Sequence, residues 1–168
     1  MTEPPPPEAR WKHVYTRTYD LRAPVEFARR WFLDRGIGPL PTPIAAHVRQ
    51  SSERTGPTSA RVRLQFDDGR MRTDDWEFGS PEEIQITKRL EEGGRTILWN
   101  RETYRFTREG SFTRLAVSVL RCAVGLRARL ALAMSLRSPV RPAADERALC
   151  EEIDRNYRLS PSPAAPAA

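Results

Sequence analysis

In "WKHVYTRTYDLR", near the start of the chain, large side chains recur at alternate positions: Tyr15, Arg17, Tyr19 and Leu21 share a face. That period of two predicts a strand. After Ala23-Pro24 the period changes at once. In "PVEFARRWFLD" the pairs Phe27/Trp31 and Ala28/Phe32 are four residues apart and form one apolar stripe, with Glu26, Arg29, Arg30 and Asp34 largely off it. This is helical spacing, and Pro24 fits a first turn, where its missing N–H costs nothing. Phe27 and Trp31 are expected to face the sheet, and Gly36 and Gly38 to stop the helix. A loop, "GIGPLPTP", follows.

From about residue 45 to 122 the chain alternates again. Six candidate strands stand out: "AAHVRQSSER", "SARVRLQF", "RTDDWEF", "EIQITKRL", "RTILWNRETYRFT" and "FTRLAVSVLRC". Between them lie "TGPT", "DDGR", "GSPE", "EEGG" and "REG", which read as turns. Connections this short force antiparallel neighbours, because a parallel pair needs a crossover of a dozen residues or more. The first strand is free to close one edge of the meander.

Past Cys122 the helical period returns, with Leu126, Leu130 and Met134, joined by Ala133. "PVRP" breaks or kinks the run, and "ADERALCEEIDRNYRL" continues it with Leu149, Ile153 and Tyr157 on one stripe. Strand, helix, six strands and a C-terminal helix make an α+β architecture, with helices packed on one face of a sheet.

Composition narrows the picture. The 168 residues suit one domain over 10–159, with Pro/Ala/Ser-rich ends at 1–9 and 160–168 expected to be disordered. The net charge is +6, but Lys12 and Lys88 are the only lysines. Arginine with abundant Ala and Pro suggests a GC-rich bacterial genome, so basicity is weak evidence for a nucleic-acid partner. Cys122 and Cys150 are far apart and form no CxxC, which favours reduced thiols in a cytoplasmic protein. The start, "MTEPPPPEAR", carries acid and a proline run where a signal peptide needs basic residues and an apolar stretch. The longest apolar region, 115–136, holds Arg121, Arg127 and Arg129. At about 2.5–3.5 kcal/mol for each arginine at mid-membrane, an ordinary spanning helix is excluded.

The order of elements, with Leu21, Ala23-Pro24, Glu26, Phe27, Trp31 and Asp34 at the strand-to-helix corner, resembles the helix-grip superfamily, also called SRPBCC or START-like. That group includes polyketide cyclase/dehydrase-like proteins and the birch-pollen allergens. The resemblance spans about residues 12–158. It implies a curved antiparallel sheet of about seven strands wrapped around a long C-terminal helix, with a short helix after the first strand. It also implies an internal cavity for a small hydrophobic ligand, lipid- or polyketide-like, with or without catalysis. No catalytic motif comes with it, and no cofactor is implied.

Turn register then sorts residues by face. If the connections keep apolar residues together, Val62, Leu64 and Phe66 share a face with Trp76 and Phe78, with Ile84 and Ile86, and with Ile97 and Trp99. The same face continues through Arg101 and Thr103 to Ala116, Ser118 and Leu120. The candidate ligand-binding set is therefore Phe66, Trp76, Phe78, Ile86, Trp99, Arg101, Ser118 and Leu120. Small residues opposite large aromatics leave space, and a polar group there orients a ligand. A buried Arg101 needs a partner: Asp74, Asp75 or a ligand carboxylate. The opposite face, with Leu98, Tyr104, Leu115, Val117 and Val119, is also apolar, so the pattern leaves open which face bounds the cavity.

Other chemistry finds little support. His13 and His47 are the only histidines, and no metal-ligand spacing is present. The neighbours Asp74-Asp75 and Glu82-Glu83 point to opposite faces of a strand and cannot converge. Glu102 and Tyr104 do share a face and could serve as base and acid in a cyclase, although a cross-strand surface pair is the more ordinary role. An arginine-driven surface for nucleic acid or an acidic partner stands as the remaining alternative.

Overall fold

The structure, a computed structural model, describes residues 4–39, 47–137 and 144–160. The expectations for the loop over 40–43, for "PVRP" and for the tail over 161–168 lie outside the described residues. The seven strands are β1 (Lys12–Leu21), β2 (Val48–Gly56), β3 (Ser59–Phe66), β4 (Met71–Glu77), β5 (Glu83–Glu92), β6 (Arg95–Glu109) and β7 (Phe112–Ala123). They form one antiparallel sheet in the order β1-β7-β6-β5-β4-β3-β2. The first strand closes one edge beside β7. The other edge is β2, whose run of Arg, Ser and Glu discourages pairing with a further strand.

Among the described residues three α-helices accompany the sheet: α1 (Val25–Ile37), α2 (Leu126–Arg137) and α3 (Ala144–Leu159). Both α1 and α3 lie on the same face of the sheet. Phe32 of α1 packs on Trp76, Tyr104 and Phe106 at ring distances of 5.7, 4.5 and 5.9 Å. Ile153 of α3 is fully buried in the same cluster. Phe32 and Ala28, rather than Phe27 and Trp31, are the residues of α1 that the sheet buries. Phe27 turns instead to α3, where its ring meets Tyr157 at 5.2 Å.

The corner from β1 into α1 is fixed from two sides. Asp154 of α3 accepts hydrogen bonds from the N–H groups of Arg22 and Ala23, at 2.8 and 3.0 Å. The hydroxyl of Thr113, itself buried, donates to Ala23 O at 2.6 Å. Pro24 holds the position just before the first helical residue, and its carbonyl accepts from Ala28 N at 2.9 Å. The helix then runs through Gly36 and ends at Gly38. A Cβ at Gly36 would lie 2.1 Å from Trp76 Cη2, so glycine is there to let the indole approach.

One irregularity decides which side chains face the helices. Gly93 and Gly94 both have positive φ, 57° and 73°, and make a two-residue hairpin turn. Glu91 then pairs with Thr96, but Leu90 pairs with Leu98, so Ile97 is an extra residue bulged out of register. Its carbonyl accepts instead from Val124 N at 3.0 Å. A one-residue slip exchanges the faces of everything beyond it. Phe66, Trp76 and Ile86 therefore remain on the helix-covered face, while Trp99, Arg101, Ser118 and Leu120 lie on the outer, convex face. The expected register across "EEGG" is corrected by this bulge; the β6–β7 register, with Arg101 opposite Leu120 and Thr103 opposite Ser118, is as expected.

The convex face has its own small cluster of Trp11, Trp99 and Cys122, with Leu120 and Val124 against it. The segment before β1 covers it. A 3-10 turn at Glu8–Arg10 leads into Trp11, whose Nε1–H donates to Pro6 O at 3.0 Å. Arg101 stacks over the Trp11 ring at 4.5 Å and pairs with Glu8. Pro6 and Glu8 thus contact this cluster through Trp11 and Arg101.

Candidate functional site

The inner face of the sheet is filled at one end and open at the other. Phe32, Trp76, Ile84, Ile86 and Phe106 close the first end as ordinary core. At the other end a cavity of about 250 Å³ remains, lined by Phe66, Arg70, Arg72, Lys88, Leu90, Leu98, Asn100 and Glu102. The strand registers place these groups side by side. Asp74 lies opposite Lys88, Lys88 opposite Asn100, and Asn100 opposite Arg121. One step along, Trp76, Ile86, Glu102, Val119 and Tyr15 form the next row.

Charged side chains in such a place must be paired, and they are. Lys88 Nζ sits 2.6 Å from Glu102 Oε2, and the Tyr104 hydroxyl donates to the same oxygen at 2.8 Å. Arg72 donates to Asp74 Oδ2 at 2.9 Å, and Arg121 Nε to Asn100 Oδ1 at 3.0 Å. Glu102 and Tyr104 are therefore buried inside the grip, not a surface pair. A second carboxylate, Glu146 in the first turn of α3, accepts hydrogen bonds from the hydroxyls of Tyr15 and Tyr19 and lies 3.6 Å from Arg17. This clasp ties the start of α3 to β1.

The two inner carboxyls are driven in opposite directions. Burial opposes ionisation of Glu102, but Lys88, the Tyr104 hydroxyl and Arg72 outweigh it and hold this group below the usual glutamate range. At Asp74 burial wins over Arg72 and Lys88, and the carboxyl is raised. Burial, reinforced by the Glu102 charge, pushes Tyr104 well above the ordinary tyrosine range. Asp74 Oδ1, Arg72 Nε, Trp76 Nε1 and Gln50 Oε1 are buried and have no hydrogen-bond partner among the described residues. On the outer side of β4, Asp75 pairs with Arg61 at 2.6 Å, so the two adjacent aspartates do face opposite ways.

Of the eight candidates read from the sequence, Phe66 lines the cavity. Trp76 and Ile86 belong to the core of the filled end and do not line the cavity, and Phe78, beneath the Arg54 guanidinium at 5.0 Å, packs against that core. Trp99, Arg101, Ser118 and Leu120 are separated from these by the thickness of the sheet. Ser118 accepts a hydrogen bond from Thr16 on the exposed side. Arg72, Lys88, Leu90, Leu98 and Asn100 were not among the candidates. Their signal was available in the run Ile97-Leu98-Trp99, where three consecutive apolar residues straddle both faces and mark a place where alternation fails. His13 beside Thr16 and His47 beside Asp67 are both exposed, and neither lines the cavity.

A curved seven-stranded antiparallel sheet closed over a C-terminal helix is also the architecture of several solved proteins. The Zhui aromatase/cyclase from Streptomyces sp. R1128 superposes with a TM-score of 0.58 at 15% identity, over 92% of this chain and 99% of that one. The chain has the helix-grip fold of the polyketide cyclase-like proteins. The di-domain aromatase/cyclase StfQ from the steffimycin biosynthetic pathway gives a TM-score of 0.57 at 12% identity, and Ara h 8.0201 gives 0.54 at 11% over 89% of this chain and 99% of that one. The helix-grip chain covers 86% of itself but only 50% of StfQ, so it spans about half the length of the di-domain protein. No family model matches the sequence, and no curated protein matches it. No helix among the described residues is long and apolar enough to cross a membrane.

Proposed function

We propose that this helix-grip protein binds a small, partly apolar ligand bearing carbonyl, hydroxyl or carboxylate groups on the inner face of the sheet, at the open end of the grip. The observation that carries this reading is the cavity at the open end of the grip. Its apolar wall is Phe66, Leu90 and Leu98, and its polar groups are Arg70, Arg72, Lys88, Asn100 and Glu102. An apolar wall holds the body of a small ligand, and fixed polar groups beside it set its orientation. At about 250 Å³ the space suits a molecule of one or two fused rings better than a long lipid. The buried, unpartnered Nε of Arg72 offers a donor to such a ligand.

Native mass spectrometry of the purified protein is the direct test, with a co-purified apolar small molecule expected. Arg72→Ala should lose that molecule, and Trp99→Phe on the convex face should keep it. Retention by Arg72→Ala and loss by Trp99→Phe would place the ligand elsewhere.

A second reading, a cyclase/dehydratase of the same fold, is favoured by the divergent inner carboxyls. Pairs of carboxyls pushed apart by their surroundings are a source of acid–base chemistry. Asp74, biased toward its protonated form, is placed to exchange a proton with a ligand. Arg72 and Lys88 are placed to stabilise an enolate oxygen. Under this reading Asp74→Asn abolishes turnover of a poly-β-ketone model substrate while leaving its binding within a few-fold. Equal turnover by the variant would remove it.

A further inference from the structure

α2 is not needed to close the grip. It lies against the end of β7, outside the core formed by the sheet, α1 and α3. The apolar stripe that its sequence predicts does not face the protein. Leu126 is 76% exposed and Leu130 59%. The half-buried residues among its described side chains are Ala128 and Leu132, on the opposite side of the helix. At about 100° per residue, Leu126, Leu130 and Ala133 fall on one outward strip, and Arg127 and Arg129 flank it on either side. Both arginines are exposed, and the segment LRARLALAMSLR contains no acidic residue.

Beside this strip, on the side of Arg129, lies a cleft of about 430 Å³ between α2 and the ends of β1 and β7. Its apolar lining is Cys122, Ala123, Leu132 and Ala133, the last at the edge it shares with the strip, and its cationic groups are Arg10, Lys12 and Arg129, with no acid among its lining residues. A cationic rim over an apolar floor repeats, in concave form, the pattern on the outer face of the helix.

We infer that α2 and this cleft are a docking surface for an anionic phospholipid bilayer, on which the helix lies flat. Exposed leucines enter the boundary between headgroups and acyl chains, and flanking arginines reach out to the phosphates. The cleft rimmed by Arg10, Lys12 and Arg129 receives a lipid phosphate. Such a helix rests on the surface and does not cross it, in keeping with the three arginines of 115–136. A second copy of the chain is the poorer occupant. Two such faces brought together would set Arg127 and Arg129 against their own kind with no carboxylate on either helix to neutralise them.

Co-sedimentation with vesicles tests this without reference to any cavity ligand. The full chain should pellet with phosphatidylcholine–phosphatidylglycerol vesicles, not with phosphatidylcholine alone, and should be released by added salt. Each arginine removed should weaken partitioning about fivefold, so Arg127→Gln/Arg129→Gln should lose roughly 25-fold. Leu126→Ser/Leu130→Ser should abolish binding, and an unchanged melting transition shows that it is folded. Equal binding to neutral and anionic vesicles, or none to either, overturns the inference. So does a wild-type dimer in sedimentation velocity that the leucine variant converts to monomer. Retention of the co-purified small molecule by both variants keeps this result separate from the cavity reading.

Discussion

Replacing Lys88 by methionine removes the ammonium group that lies 2.6 Å from Glu102 and leaves the carboxylate in place. The Glu102 side chain is 13% exposed and that of Lys88 20%. Removing one partner of a fully buried ion pair costs about 3–5 kcal/mol, because the survivor is left charged in a poorly polar surrounding. Residual water contact reduces this, to about 2–3 kcal/mol at pH 8. Methionine fills most of the lysine volume, so a cavity adds little. The pH dependence is the sharper signature. In the native protein Glu102 is held below its usual range, so the pair stabilises the fold above the unfolded-state value of about 4.3. That contribution is lost as pH falls through the folded-state value. In Lys88→Met burial is no longer outweighed, and the Glu102 carboxyl rises above its unfolded value. The penalty is then present at pH 8 and fades as pH drops and the group takes up a proton. Asp74, already raised and also facing Lys88, moves the same way. Urea unfolding of both proteins between pH 8 and about pH 4.5 reads this out by linear extrapolation. The expected difference narrows toward acid by about 2 kcal/mol. Lys88→Met/Glu102→Gln should be more stable at pH 8 than the sum of the single changes implies. A loss below about 0.5 kcal/mol, typical of a surface pair, or one that does not vary with pH, refutes the burial of this pair.

Gly36→Ala should destabilise by about 1–3 kcal/mol through the clash with Trp76, a drop of several degrees in melting temperature, and Trp76→Leu in the same background should relieve part of it. Trp99→Ala should cost about 3 kcal/mol by uncovering Trp11 and Cys122, yet leave ligand retention unchanged; loss of ligand would mean that the convex face contributes to the site. Burial, aided by Asp154, Glu146 and Glu151, pushes the Cys150 thiol up to about 12. Native protein at pH 8 should therefore react with iodoacetamide at Cys150 far more slowly than unfolded protein, as peptide mass mapping would show. Tyr19→Phe removes one donor to the buried Glu146, and hydrogen exchange over the first turns of α3 should accelerate; unchanged protection would show that the clasp does not hold the helix.

Each change of period along the chain marks an element boundary. "SARVRLQF" is β3 from its first residue to its last, and the turns at "DDGR" and "EEGG" separate antiparallel neighbours. Those features are local: alternation, helical spacing and the glycines of tight turns act within a few residues, so a sequence displays them directly. The β1–α1 corner was legible for the same reason, although the Asp154 carboxylate that secures it comes from the far end of the chain.

Three matters were decided only by tertiary structure. The bulge at Ile97 transferred Trp99 and Arg101 to the convex face and brought Glu102 and Asn100 into the cavity. A single extra residue leaves composition and propensity untouched but exchanges two faces. The depth of Glu102 and Tyr104 depends on α1, α3 and the sheet closing together, which no strand pattern contains. The outward turn of Leu126 and Leu130 goes with the half-burial of Ala128 and Leu132 on the opposite side of the helix. Amphipathic spacing shows that a helix has an apolar stripe. What that stripe faces is fixed by how the rest of the chain packs around it.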